Sequence, residues 1–175
     1  MSSLSTDNVP FFPSVEANQR QSKVIVKRTS DARGWGVFAY QNFSTGDLVM
    51  ESKSLASYAN PGSHTIQTGW NTHVHMDLPA RFVNHGCMGT VGIRPNSNDS
   101  YDFIALTDIA KGDEVLWDYE CSEWSMGFFK CQCGLPACRG DISGFKTHGQ
   151  QVIEAYGKQY IAPYLFTPRP GEAKI

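Results

Sequence analysis

The chain has 175 residues, enough for one domain around a single core, and its 41% apolar and 12% aromatic content is that of a globular protein. A formal charge of −2 provides no positive field for holding phosphates, and Lys27-Arg28 is too short for a basic patch, so direct nucleic-acid binding is not expected. Apolar runs of only a few residues exclude a membrane-spanning helix.

Residues 1–21 are polar and proline-interrupted and read as a flexible lead-in, apart from a contact through Phe11-Phe12. Met1-Ser2-Ser3-Leu4 has neither the basic segment nor the apolar core of a secretory leader, so an intracellular protein, nuclear or cytoplasmic, is expected. Ordered structure is expected from about residue 22. Val24-Ile25-Val26 predicts a strand and residues 36–40 a second, with Arg33-Gly34-Trp35-Gly36 as the turn between them. Ser44-Thr45-Gly46-Asp47 is a turn that feeds a strand at Leu48-Val49-Met50.

Residues 64–68 and the strictly alternating residues 72–77 predict two more strands. His73 and His75 share a face of the second. They lack a third partner at chelating distance in sequence, so a hydrogen-bonded or solvated pair is expected. Residues 101–106 predict a strand, and Ala110-Lys111-Gly112-Asp113 repeats the earlier turn just before Val115-Leu116-Trp117. Residues 150–160 predict a helix with Val152, Ile153, Tyr156 and Tyr160 on one side and Pro163 as its stop, followed by a loose tail from Thr167. Acidic residues gather toward the C-terminal half, including Asp99, Asp102, Asp108, Asp113, Glu114, Asp118, Glu120 and Glu123. They read as a solvated face, or as a surface suited to a cationic peptide.

The most specific chemistry lies in Cys131-Gln132-Cys133-Gly134-Leu135-Pro136-Ala137-Cys138, where Gly134 and Pro136 supply turns that let three thiols converge. A tetrahedral zinc needs a fourth donor, and only Cys87 and Cys121 remain, with Cys87 preferred. A site of four thiolates is closed to water and therefore structural. Five cysteines without a leader argue against a disulfide framework, though reduced cysteines with no metal remain the plain alternative.

Together with that loop, three segments in fixed order resemble the SET-domain protein lysine methyltransferase family with its post-SET zinc loop. They are Arg33-Gly34-Trp35-Gly36-Val37-Phe38-Ala39, Arg81-Phe82-Val83-Asn84-His85-Gly86-Cys87, and the stretch from Ile109 through Lys111-Gly112-Asp113-Glu114 to Trp117-Asp118-Tyr119. The resemblance covers roughly residues 22–145. Small single-domain bacterial and fungal members with a Glu-Trp-x-Met run before the zinc loop, here Glu123-Trp124-Ser125-Met126, look most similar.

The resemblance implies a mainly β fold of several small sheets with a pseudoknot-like C-terminal crossing, a post-SET zinc loop and a C-terminal helix. It places a SET domain at residues 22–120, the post-SET segment at 121–145 and the helix and tail at 146–175. It implies S-adenosylmethionine as cofactor, a structural zinc on Cys87, Cys131, Cys133 and Cys138, and a protein or peptide substrate bearing lysine, a histone or another protein.

Tyr119 is the catalytic tyrosine by this match, with Trp117 beside it in the lysine channel and Phe82 as a further aromatic wall. Arg33, Gly34, Trp35, Gly36, Arg81, Phe82, Asn84, His85 and Tyr119 are the implied cofactor contacts, with Trp124, Phe129 or Leu135 over the adenine. Two departures stand out. Met88-Gly89-Thr90 follows Cys87 where x-Pro-Asn is usual, and Trp117 occupies a position of Tyr or Phe that influences how many methyl groups are added. A larger ring there favours a low methylation state. It also keeps open the alternative of a SET-fold protein that holds cofactor and zinc but serves as a binding module or acts on a small molecule without methylating lysine.

Overall fold

The computed structural model describes residues 23–171, residues 32, 63 and 128 excepted. The expected lead-in over residues 1–21 and the end of the tail lie outside the described residues.

The order of elements gives several small sheets rather than one large one, as the family resemblance implies. Strands β1 (Val24–Arg28) and β2 (Trp35–Ala39) form an antiparallel hairpin, extended by β10 (Glu114–Trp117) and then by the two-residue β7 (Asn84–His85). A second sheet has the order β3 (Leu48–Glu51), β9 (Tyr101–Ala105), β8 (Val91–Pro95). A third, with the order β4 (Ser54–Tyr58), β6 (Thr72–Met76), β5 (Thr65–Gly69), is the insert. The short pair β11 (Phe129–Lys130) and β12 (Asp141–Ile142) brackets the cysteine loop.

Alternation explains the core. Val24 and Val26 of β1, Val37 and Ala39 of β2, and Val115 and Trp117 of β10 all point inward, where Ile93, Tyr101 and Phe103 meet them from the second sheet. The two similar turns are both present and paired. In each, an aspartate caps the amide three residues earlier, Asp47 Oδ2 accepting from Ser44 N–H at 2.7 Å and Asp113 Oδ2 from Ala110 N–H at 3.1 Å. A bridge between Phe43 and Ile109 sets the turns side by side, which brings β10 back beside the hairpin.

Most expected strands are found within a residue or two, whereas β4, β7, β8, β11 and β12 were not foreseen. The helix runs Phe145–Tyr156, starting five residues before the expected residue 150 and ending before Tyr160. Gly157, at φ 75°, breaks it, and Lys158–Tyr160 continues as a 3-10 turn. The stop is therefore the glycine and not Pro163. Residues 163–166 form another 3-10 turn, and Thr167 is held by Tyr164 and Trp70, so the tail is anchored at its start.

Candidate functional site

The crossing that organises the site is parallel: β7 lies beside β10 with Asn84 opposite Leu116 and His85 opposite Trp117. The chain then turns through Met88-Gly89-Thr90 over the end of β10. A Cβ on Gly89 would stand 3.0 Å from Trp117 Cα and 3.1 Å from Asp118 N, so any larger residue would push this turn off β10 by a few tenths of an ångström. The hydroxyl of Tyr156 donates to Cys87 O at 2.9 Å and accepts from Gly89 N–H at 3.0 Å, while Thr90 Oγ1 accepts from Leu116 N–H at 3.0 Å. In this chain the C-terminal helix thus does the work of fixing the turn that departs from the family pattern.

The sulfurs of Cys87, Cys131, Cys133 and Cys138 lie within 4.8 Å of one another, and those of Cys87 and Cys131 are 3.7 Å apart. Four sulfurs each about 2.3 Å from one ion sit about 3.8 Å apart, so the spacing fits a tetrahedral zinc and is far too long for a disulfide. Cys121 is buried in the core and takes no part. Burial pushes the Cys87 thiol up, and the main-chain N–H of Arg139, donating to its Sγ at 3.4 Å, opposes this by favouring the thiolate.

The side chain of Arg139 reaches from this loop into the core. Its Nη2 lies 2.7 Å from Asp118 Oδ1 and 2.8 Å from Glu120 Oε2, both carboxylates being fully buried. Glu120 also accepts from the amides of Ser143 and Gly144 and pairs with His148 Nδ1 at 2.9 Å. Burial pushes the Asp118 carboxyl up. It pushes Glu120 up as well, but His148 and the two amides outweigh this and hold that carboxyl below its usual range.

Asp118 and Glu120 therefore belong to no solvated acidic face. Together with Glu123, which is 8% exposed, they are interior groups, and the expected acidic surface is reduced to the exposed members of the series. His73 and His75 do not form a metal site. Among the described residues only the four cysteines cluster for one, while His75 packs edge-on against Tyr58 and His73 is buried with its pKa lowered by burial.

Tyr119 stands between two clefts. One, of about 190 Å³, is lined by Arg33, Asn84, His85, Tyr119, Phe129 and the start of the cysteine loop. The other, of about 440 Å³, is lined by Trp117, Tyr119, Arg81, Val83, Glu123 and the start of β5. The Tyr119 hydroxyl donates to Val83 O at 3.0 Å, and burial raises its pKa to about 12, so the phenol stays protonated at neutral pH.

In the smaller cleft, Asn84 Nδ2 donates to Trp35 O at 2.8 Å and to Glu114 Oε1 at 2.9 Å. Two acceptors fix that end of the amide as the nitrogen, and among the described residues Oδ1 has no hydrogen-bond partner, which leaves it an acceptor available to a ligand. Arg33 grips Glu114 with two parallel hydrogen bonds of 3.1 and 2.8 Å, closing one side. A Cβ on Gly36 would stand 2.6 Å from Glu114 Oε1 and 3.0 Å from Asn84 Nδ2, so the room left by this glycine is taken by the side chains that orient Asn84.

The other sequence-predicted residues are placed as follows. Trp35 contributes its carbonyl to Asn84 and its ring to Arg28, while Gly34, at φ +85°, has open space around it. Arg81 and Trp117 line the larger cleft rather than the smaller, and Phe82 lines neither, its ring lying edge-on to His64. Of the three rings and side chains considered for the adenine, Phe129 lines the smaller cleft. Trp124 does not, because it packs on Trp70 at 5.2 Å, and Leu135 does not line it either.

A β protein in which one tyrosine divides two clefts, one of them roofed by a cysteine-bound loop, narrows the class considerably. Residues 34–120 match the model of the SET domain family, and the chain is a SET-domain protein. It is 26% identical over 147 residues to a "Histone-lysine N-methyltransferase, H3 lysine-4 specific" of Neurospora crassa, a match covering 71% of this chain and 11% of that protein. It is 25% identical over 141 residues to a "Histone-lysine N-methyltransferase, H3 lysine-36 specific" of Mus musculus, covering 69% of this chain and 5% of the relative. Among solved structures it resembles KRYPTONITE, crystallised with mCHG DNA and SAH, at a TM-score of 0.54 and 18% identity over 69% of this chain and 29% of that one. The chain therefore spans about a tenth or less of the length of these two curated relatives.

Proposed function

We propose that the protein is an S-adenosylmethionine-dependent protein-lysine N-methyltransferase acting on a histone or another protein, within the cell. The observation that carries this reading is the position of Tyr119 as a shared wall of the two clefts. A methyl transfer in line from a sulfonium to an amine needs donor and acceptor held on opposite approaches to one point, and alignment is most of what the protein contributes.

When bound, S-adenosylmethionine supplies a methyl group on a positively charged sulfur that is displaced by the acceptor nitrogen. Asn84 Oδ1 is the acceptor for its ammonium, Phe129 the flat apolar contact, and Tyr119, with His85, the wall toward the amine. At about 190 Å³ the smaller cleft is below the ~300 Å³ usual for an enclosed ligand site, so it would hold only part of the cofactor, with the start of the cysteine loop as one of its walls. Zinc on the four thiolates gives that loop its shape. Trp117 and Tyr119 line the acceptor side, where an amine of solution pKa about 10.4 must become neutral at a cost of about 4.6 kcal/mol at pH 7.

The test is incubation of the protein with methyl-labelled S-adenosylmethionine and mixed histones or lysate. Label on lysine in the parent, with at least a 100-fold loss in Tyr119→Phe and unchanged cofactor affinity, is the expected result. Cofactor binding with no transfer to any protein would overturn it.

A further inference from the structure

The larger cleft contains one acidic side chain among the described residues, and it is one that composition alone would assign to the surface. Glu123 is 8% exposed and lies four residues past Tyr119, on the same turn of chain, its N–H donating to Tyr119 O at 3.0 Å. One carboxylate oxygen is committed: Oε1 accepts from Gln67 N–H of β5 at 2.7 Å and from Ser122 Oγ at 3.1 Å. The other, Oε2, accepts from none of the described residues and is not sealed from solvent, so it faces the cleft that Glu123 lines.

The positive groups nearby leave it unpaired. Arg81 lines the same cleft but turns Nε to Met76 O at 2.9 Å, and no ion pair within 4.0 Å joins it to Glu123. His64 is the other basic side chain of the wall. The remaining titratable neighbours are phenols, Tyr119 in the cleft and Tyr101 and Tyr164 behind it. A carboxylate fixed by one oxygen and open by the other, beside two aromatic walls, is a receptor for a cation with N–H donors.

We propose that Glu123 is the ammonium-binding residue of the acceptor cleft and takes the proton that the acceptor amine must lose, which makes the acceptor class a primary amine entering as a cation. This deepens the methyltransferase reading and rests on it for the second half. The proton moves from the ammonium nitrogen to Oε2, the N–H bond breaking and an O–H bond forming, and leaves a neutral amine with its lone pair free. The carboxylic acid so formed releases its proton to solvent once the product has left. Burial raises the carboxyl to about 7, so both of its forms are populated at neutral pH, as a proton acceptor working there requires. The capped Gln67 N–H has a further consequence: at this residue the outer edge of β5 is closed to a pairing strand, so recognition here depends on the amine more than on main-chain pairing.

The first measurement needs only the parent protein. Binding of n-butylammonium and of n-butanol, followed by NMR shifts of the Trp117 and Tyr119 rings, should differ at least tenfold in favour of the cation at pH 8 and hardly at all at pH 5. In Glu123→Gln the difference should vanish at both pH values, and under labelled-cofactor assay its kcat should fall at least tenfold without a change in cofactor affinity. Equal binding of cation and alcohol by the parent, or a preference retained in Glu123→Gln, overturns the assignment even if methyl transfer is robust. A Glu123-dependent preference in a protein that transfers no methyl supports the amine site and overturns the methyltransferase reading instead.

Discussion

The main-chain N–H of Tyr119 donates to Nδ1 of His85 at 3.2 Å, and the opposite nitrogen of that ring, Nε2, lies 3.4 Å from Cys87 Sγ. Because Nδ1 accepts, the single proton of the neutral ring sits on Nε2 and points at the sulfur. Burial keeps the ring neutral, with a pKa lowered to about 4, and the nearby Arg139 acts in the same direction. One imidazole therefore joins the cysteine cluster to the tyrosine between the clefts. In His85→Ala the four sulfurs remain, but zinc affinity should fall by about 10- to 100-fold, as for other groups that orient metal ligands. Chelator competition measures the affinity, and the same variant should lose methyl transfer before it loses zinc.

Removing the metal should act mainly on the loop. Between Cys131 and Cys138 none of the side chains is buried, so the segment has little apolar burial of its own to hold it beside the smaller cleft. Structural zinc contributes about 10–16 kcal/mol in small peptides, ample to order it. Treatment with a strong chelator should raise hydrogen exchange across residues 129–142 and abolish S-adenosylmethionine binding in calorimetry. Exchange in β8 and β9 should stay slow. Full cofactor affinity in zinc-free protein would separate loop from cleft.

Arg139 is the second tie between loop and core. Its guanidinium balances two carboxylates that are themselves fully buried, so removing it leaves charge stranded in the interior. Arg139→Met should lower stability by about 3–5 kcal/mol, read from the urea midpoint. Arg139→Lys should recover only part of this, since a single ammonium can stand between Asp118 and Glu120 as Nη2 does but has no second nitrogen for Cys87 O, which Nη1 reaches at 3.4 Å.

The cysteine cluster was legible because thiols are scarce and their spacing is chemical: Cys131, Cys133 and Cys138 would need a fourth donor to hold a metal, and Cys87 is the one that meets them. Alternation made β6 and β9 legible. The strands that escaped did so for physical reasons. β7 is two residues long and exists only because β10 runs beside it, and β4 is an exposed edge strand with Leu55 62% and Tyr58 45% accessible, so it carries no inward pattern. The helix was misplaced because its first turns carry Lys146 and Gln150, which are exposed, and His148, whose partner, Glu120, is distant in sequence. The same distance hid the interior acids. An aspartate or glutamate reads as surface until the arginine and amides that satisfy it are seen.

Trp117 is 4% exposed and packs its ring 5.2 Å from Tyr119 and 6.0 Å from Phe103 while lining the acceptor cleft. Trp117→Phe should cost about 1–3 kcal/mol from the space left in the core. If the indole limits room at the amine, the smaller ring should also shift products toward higher methylation, seen as added 14-dalton steps (about one CH₂ each) in peptide mass spectra. An unchanged product distribution with the expected loss of stability would confine Trp117 to packing.

The raised carboxyl of Glu123 has a consequence for stability whose sign is fixed. Its unfolded value is near 4.5 and its folded value about 7, so between these pH values the folded protein binds more protons than the unfolded chain. Stability must therefore fall as pH rises from about 4.5 through 7, and this contribution is fully present only below the lower value. The difference corresponds to on the order of 3 kcal/mol at pH 8. Glu123→Gln keeps an oxygen for the Gln67 N–H and cannot ionise, so it should unfold at higher denaturant than the parent at pH 8 and match it near pH 5. The urea midpoint across pH 5–8 reads this directly. A parent whose stability rises over that interval, with the variant parallel to it, would mean that Glu123 is ionised throughout and that its burial is relieved by groups other than those around the cleft.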